Sequence, residues 1–63
     1  MVGTKVEIIK AVVYRDIAVY PGEVYVVSKY NPRSRYPIHI EKNGMILLLD
    51  FTEVKPFTAG LFV

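Results

Sequence analysis

The stretch Tyr36-Pro37-Ile38-His39-Ile40-Glu41-Lys42-Asn43-Gly44-Met45-Ile46-Leu47-Leu48-Leu49-Asp50-Phe51 sets Asn-Gly between two runs in which apolar residues recur at alternate positions. Asn-Gly in that setting is the strongest short-range signal for a β-hairpin, because a type I′ turn needs positive φ at both of its central residues. A two-residue loop at Asn43-Gly44 also fixes the pairing, so Tyr36 faces Phe51, Ile38 faces Leu49 and Ile40 faces Leu47. Cross-strand partners project from the same side of a sheet, and these six side chains are the expected core face. The opposite face then holds Pro37 with Asp50, His39 with Leu48, and Glu41 with Ile46. Ile46 and Leu48 stand there among polar groups, so either another element covers them or they are exposed.

Outward from this hairpin, further turn signals divide the chain. Pro21-Gly22 suits the central positions of a type II turn, and residues 31–35, opened by Asn31-Pro32, form a polar loop. Between the marks lie five candidate strands, at residues 4–13, 23–30, 36–42, 45–51 and 54–57, rich in the β-branched and aromatic residues that suit a pleated surface. Val6, Ile9, Val13 and Ile17 also approximate a helical stripe, but the β-branched side chains and the missing cap favour a strand. Val6 and Ile8 lie on one parity and Ile9, Ala11 and Val13 on the other, which a bulge near Ile8-Ile9 would reconcile. In the second strand both parities are again partly apolar, as in strands that serve both halves of a small barrel.

Composition bounds the rest. Sixty-three residues make one small domain with a thin core, and 52% hydrophobic residues make it a folding chain rather than a disordered one. The run from Met45 to Leu49 falls far short of the ~18 residues a membrane helix needs, and no membrane association is expected. Met1-Val2-Gly3-Thr4-Lys5 leads into an alternating stretch with no apolar leader, so the expected location is the cytoplasm, or the host cytoplasm for a viral protein. There is no cysteine, hence neither a disulfide framework nor a thiolate metal site. The net charge of +2 is uneven: residues 29–42 hold Lys29, Arg33, Arg35 and Lys42 against Glu41 alone. An electrostatic function belongs there.

A first strand, a long connection at 14–22, a second strand, a basic loop, a tight Asn-Gly hairpin and a short connector before Val54-Lys55-Pro56-Phe57 resemble an SH3-like barrel. The resemblance implies an all-β, five-stranded barrel over residues 1–57, with an RT-type loop at 14–22, an n-Src-type loop at 31–35 and a short 3₁₀ turn at 51–53 before the last strand. Residues 58–63 then form an apolar tail that packs on the barrel or on a partner. Peptide-binding members of the family carry a tryptophan where this chain has Tyr36, and a proline-tyrosine pair that Phe51-Thr52-Glu53-Val54 lacks, which argues against the usual proline-rich ligands. Compact barrels of this kind are also similar to small proteins of phages and archaeal viruses.

Enzymatic chemistry finds no support in the residues. His39 is the only imidazole, the two serines Ser28 and Ser34 have no orienting acid beside them and the four glycines are scattered singly, so neither a metal centre, a catalytic triad nor a phosphate loop is expected. No catalytic residue, cofactor or small-molecule substrate follows. The leading expectation is a protein-interaction module that binds a partner protein or a second copy of itself through Ile46, Leu48, His39 and the tail residues Leu61, Phe62 and Val63. The alternative is a small nucleic-acid-binding barrel that uses Lys29, Tyr30, Arg33, Arg35 and Lys42, bases interleaved with a stacking ring.

Overall fold

The turn at Asn43-Gly44 has the expected backbone, with φ of 52° at Asn43 and 78° at Gly44. In the computed structural model, which describes residues 2–57, this turn joins β5 (Ile38–Lys42) to β6 (Met45–Leu49). Ile38 pairs with Leu49, His39 with Leu48, Ile40 with Leu47 and Glu41 with Ile46, the register expected from the two-residue loop. Ahead of it run β1 (Lys5–Ile8), β2 (Val12–Tyr14), β3 (Ile17–Val19) and β4 (Val24–Tyr30), and β7 (Val54–Pro56) follows.

The protein is all-β. Five strands form one antiparallel sheet in the order β6-β5-β4-β1-β7, and β2 and β3 form a separate two-stranded hairpin. β4 is shared: its first half pairs with β1 through Val24, Tyr25 and Val26, and its second half pairs with β5 through Val27, Lys29 and Tyr30. The register shifts between Val27 and Lys29, which leaves Ser28 as the extra residue of a bulge that bends the strand between its two partners. Among the described residues ten aliphatic side chains form the buried core, Val6, Ile8, Val27, Ile38, Ile40, Leu47, Leu49 and Val54 of the sheet and Ile17 and Val19 of β3. Alternate strand positions supply them, as a period of two requires.

Several expectations are corrected. The first strand does not run to residue 13 with a bulge; it ends at Ile8, and the chain leaves the sheet there to enter β2. Two backbone bonds fix the departure, the Ile8 amide donating to the Glu23 carbonyl at 2.8 Å and the Ile9 amide to the Glu53 carbonyl at 2.8 Å. The connection at 14–22, expected as a loop, instead holds the turn and second strand of a hairpin, β2 to β3, whose two-residue turn Arg15-Asp16 has Arg15 at φ 54°. Tyr36 and Phe51, assigned inward, are 39% and 54% exposed, because β5 starts only at Ile38 and β6 stops at Leu49. The backbone beyond each end is drawn into local bonds instead: the Tyr36 amide donates to Ser34 Oγ, and the Thr52 amide and hydroxyl donate to Asp50 Oδ1. Pro37, assigned to the outer face, is buried, and its carbonyl accepts from the Asn31 amide. Residues 51–53 form a hydrogen-bonded turn closed by the Glu53 amide on the Asp50 carbonyl, and no 3₁₀ helix is present among the described residues. Nor do the edges β6 and β7 pair with each other there, so no ladder closes the sheet into a barrel. No helix of the described residues is long and apolar enough to cross a membrane.

The Gly44 turn is testable without disturbing any contact. A Cβ at Gly44 would meet no atom within 4 Å, so the cost of Gly44→Val is purely that of holding a β-branched residue at positive φ. Urea denaturation should show a loss of about 1–3 kcal/mol. An unchanged midpoint would mean that the turn does not set the register.

Candidate protein-interaction groove

Register decides what the outer face of the second half-sheet presents. With Ile38, Ile40, Leu47 and Leu49 inward, Ile46 and Leu48 must point outward, and they are 53% and 48% exposed. One row across this face reads Lys29, His39, Leu48, since Lys29 pairs with His39 and His39 with Leu48. His39 is half-buried in that row.

Beside this face lies an open groove of about 430 Å³. One wall is β6 at Ile46, Leu47 and Leu48; the other is β2 at Val12, Val13 and Tyr14, with Val13 70% exposed. Tyr36 and Glu53 complete the lining. Consecutive residues of both strands contribute, so the strands border the groove along their length. Apart from Glu53 and the Tyr hydroxyls, its side chains are apolar, a composition suited to excluding water from a partner. The Arg15 guanidinium lies 5.4 Å from the centre of the Tyr14 ring and gives that aromatic a charged cover.

The β2–β3 wall is held by its apolar underside and by one cation. Ile17 and Val19 are buried in the core, while Lys42 Nζ, reaching over from β5, donates to the Ala18 carbonyl at 2.6 Å. The same ammonium sits 3.8 Å from Glu23 Oε1 and 6.0 Å from the centre of the Tyr25 ring. Glu23 Oε1 also accepts from the Tyr25 hydroxyl at 2.8 Å and from the Tyr20 amide at 3.1 Å. These donors, the Tyr25 hydroxyl first, hold the Glu23 carboxyl below its usual range, and partial burial, followed by the adjoining carboxylate, pushes the Tyr25 phenol up. The Asp50 carboxyl is likewise held low, by the hydroxyl and amide of Thr52.

As the hairpin register leads one to expect, Ile46, Leu48 and His39 fall on one face, and Ile46 and Leu48 line the groove. Leu61, Phe62 and Val63 lie outside the described residues. The basic set is divided. Lys29, Arg33 and Arg35 are exposed, but Lys42 is engaged by Ala18 and Glu23, and Tyr30, half-buried, packs against the core and meets Phe51 edge-on at 6.3 Å between ring centres. Among the described residues no group of three His, Cys, Asp or Glu side chains could hold a metal ion. Val13, Tyr14 and Tyr36 line the groove without being among the residues expected there from the sequence. An Arg-Asp hairpin turn has no sequence signature that would have announced β2, and the Tyr36 reading assumed two more ladder rungs than form. Comparison with protein-family models, with curated proteins and with solved structures finds no match to the chain.

The lowered carboxyl groups predict an acid-labile fold. Unfolding returns Glu23 and Asp50 to the ordinary carboxylate range near pH ~4, so the unfolded chain binds more protons as the pH falls through that range. Stability present above it is lost below it. Glu23→Gln should be less stable than the wild type at pH 7 and should lose less on acidification to pH 3, read as urea midpoints. Equal acid losses in the two proteins would exclude Glu23 as a contributor.

Proposed function

We propose that this chain is a non-enzymatic protein-interaction module whose contact surface is the apolar groove between β2 and β6, with a second copy of the chain as its partner. The observation that supports this reading most strongly is the gathering of Val13, Ile46 and Leu48, each about half exposed or more, around one groove in a protein with only ten buried aliphatic side chains among the described residues. Water penalises such area at about 25 cal/mol per Å², and a two-fold contact can bury the same patch twice. An SH3-like architecture fits the same facts: β4 serves both halves of the sheet, the RT-type connection flanks the groove, and Tyr36 stands at its rim. The nucleic-acid reading draws support from three exposed cations, Lys29, Arg33 and Arg35, but its stacking ring and fourth cation are already engaged.

Salt and one substitution separate the two. In sedimentation the wild type should be a dimer at micromolar concentration and remain so at high salt, since apolar contact does not weaken as phosphate binding does. Leu48→Lys should be monomeric, with stability within about 0.5 kcal/mol of the wild type as befits an exposed position. A wild type that stays monomeric but binds a mixed-sequence oligonucleotide, with binding lost in the Arg33→Ala/Arg35→Ala double variant, would replace this reading with the nucleic-acid one.

A further inference from the structure

Among the described residues β2 and β3 pair with each other and with no strand of the five-stranded sheet, so no ladder holds this hairpin down. Its roots are tied instead. The Ile9 amide donates to the Glu53 carbonyl at 2.8 Å where the chain leaves β1; where it returns, the Gly22 amide donates to the Ile8 carbonyl at 2.9 Å and the Ile8 amide to the Glu23 carbonyl at 2.8 Å. Between the roots, from Ala11 to Val19, one hydrogen bond among the described residues joins the hairpin to the sheet, that of Lys42 Nζ to the Ala18 carbonyl at 2.6 Å. Ile17 and Val19 are buried and Val12 partly so, while the other residues from 9 to 16 are exposed. Two buried side chains do little against the entropy of ordering a hairpin that is marginal on its own, and such elements lie at the low end of local stability. The turn weakens it further, because Arg15 at φ 54° occupies the left-handed region that favours glycine.

We propose that the β2–β3 hairpin is a lid that opens from the sheet as a unit, hinged at its roots beside Ile8 and latched by Lys42. Lys42 is placed for this role. It belongs to β5 and is held there by its pairing with Met45, while Glu23 Oε1 at 3.8 Å and the Tyr25 ring at 6.0 Å flank its ammonium beside Ala18. A hydrogen bond from a charged donor is stronger than one between neutral groups, so this single bond outweighs any other polar tie along the hairpin. Opening breaks the bond of Lys42 to Ala18 and exposes Ile17 and Val19, while the bonds at Ile8 and the ladders of the five-stranded sheet persist. Because β2 is one wall of the groove, the latch fixes the width of a groove that Lys42 does not line. Lys42 is thus a positioning residue, and the device holds whatever partner the groove receives.

Native-state hydrogen exchange in urea tests the lid, read by NMR on the full chain carrying Leu48→Lys so that association through the groove does not enter the rates. A detached hairpin loses its own ladder, so the amides of Ile17 and Val19 report opening, and those of Ile40 and Leu47 report unfolding of the sheet. The hairpin amides should exchange faster, with a urea dependence above zero and below that of the sheet amides. A urea dependence of zero, which is fraying alone, or rates and slopes equal to those of the sheet overturn the lid. Lys42→Met should raise hairpin exchange about tenfold, as loss of a bond from a charged donor implies. Gly44→Val strains the open and closed forms alike, so it should speed exchange at Ile40 and Leu47 and leave Ile17 and Val19 within about twofold. Unchanged hairpin exchange in Lys42→Met overturns the latch, and hairpin rates that rise with the sheet's in Gly44→Val overturn the separate opening. Should Lys42→Met fail to fold, the milder Lys42→Gln takes its place with the same expected direction.

Discussion

Four of the ten aliphatic side chains buried among the described residues, Ile38, Ile40, Leu47 and Leu49, owe their position to one constraint, the register of β5 against β6 set by Asn43 and Gly44 at positive φ. Because side chains alternate with a period of two, a slip of one residue in β6 would turn Ile46 and Leu48 inward and Leu47 and Leu49 out. The core half of this hairpin and its exposed apolar half are therefore a single choice. Whatever fixes Leu47 and Leu49 in the interior also fixes Ile46 and Leu48 in the groove wall.

The remaining core depends on how a chain this short brings a second layer over its sheet. No helix is present among the described residues, so the cover is the β2–β3 hairpin, which buries only Ile17 and Val19 and packs the partly buried Val12 against the core. So small an apolar contact leaves room for a polar one to matter. Lys42 supplies it, reaching from the end of β5 to the Ala18 carbonyl while Glu23 and the Tyr25 ring flank its ammonium. A residue that composition counts among the basic excess is thereby committed to holding the groove's far wall. The cluster as a whole has no buried side-chain polar atom lacking a partner among the described residues, which is why partial burial of a charge is tolerated there.

The hairpin register, the runs that hold β1, β4, β5, β6 and β7, and the bending of β4 between two partners were legible in the sequence, because turn chemistry and alternation are local signals. What was not legible required knowing where a ladder stops. Tyr36 and Phe51 continue the alternation of their strands, yet Ser34 and Asp50 capture the next amides and end the pairing at Ile38 and Leu49. Residues 4–13 read as one strand because Ile8 and Ile9 are both strand formers, while the exit at Ile9 is made by a bond to Glu53, far along the chain. Neither event has a periodicity. The groove inherits this: Ile46 and Leu48 follow from the register, whereas Val13 and Tyr14 reach it only through a hairpin whose Arg15-Asp16 turn carries no glycine or asparagine.

The contrast between the two edges of the sheet is the feature that ordinary folding constraints leave unexplained. Both edges face the same hazard of pairing with foreign strands, and both belong to the same small domain. β7 answers that hazard with brevity, a lysine and a proline, while β6 answers it with five apolar residues in succession. A charge at position 46 or 48 would suffice to protect β6 and would cost the fold little, since both side chains already point to solvent. The packing of the core, which takes only Leu47 and Leu49 from β6, therefore does not by itself require this edge to be left without a charge.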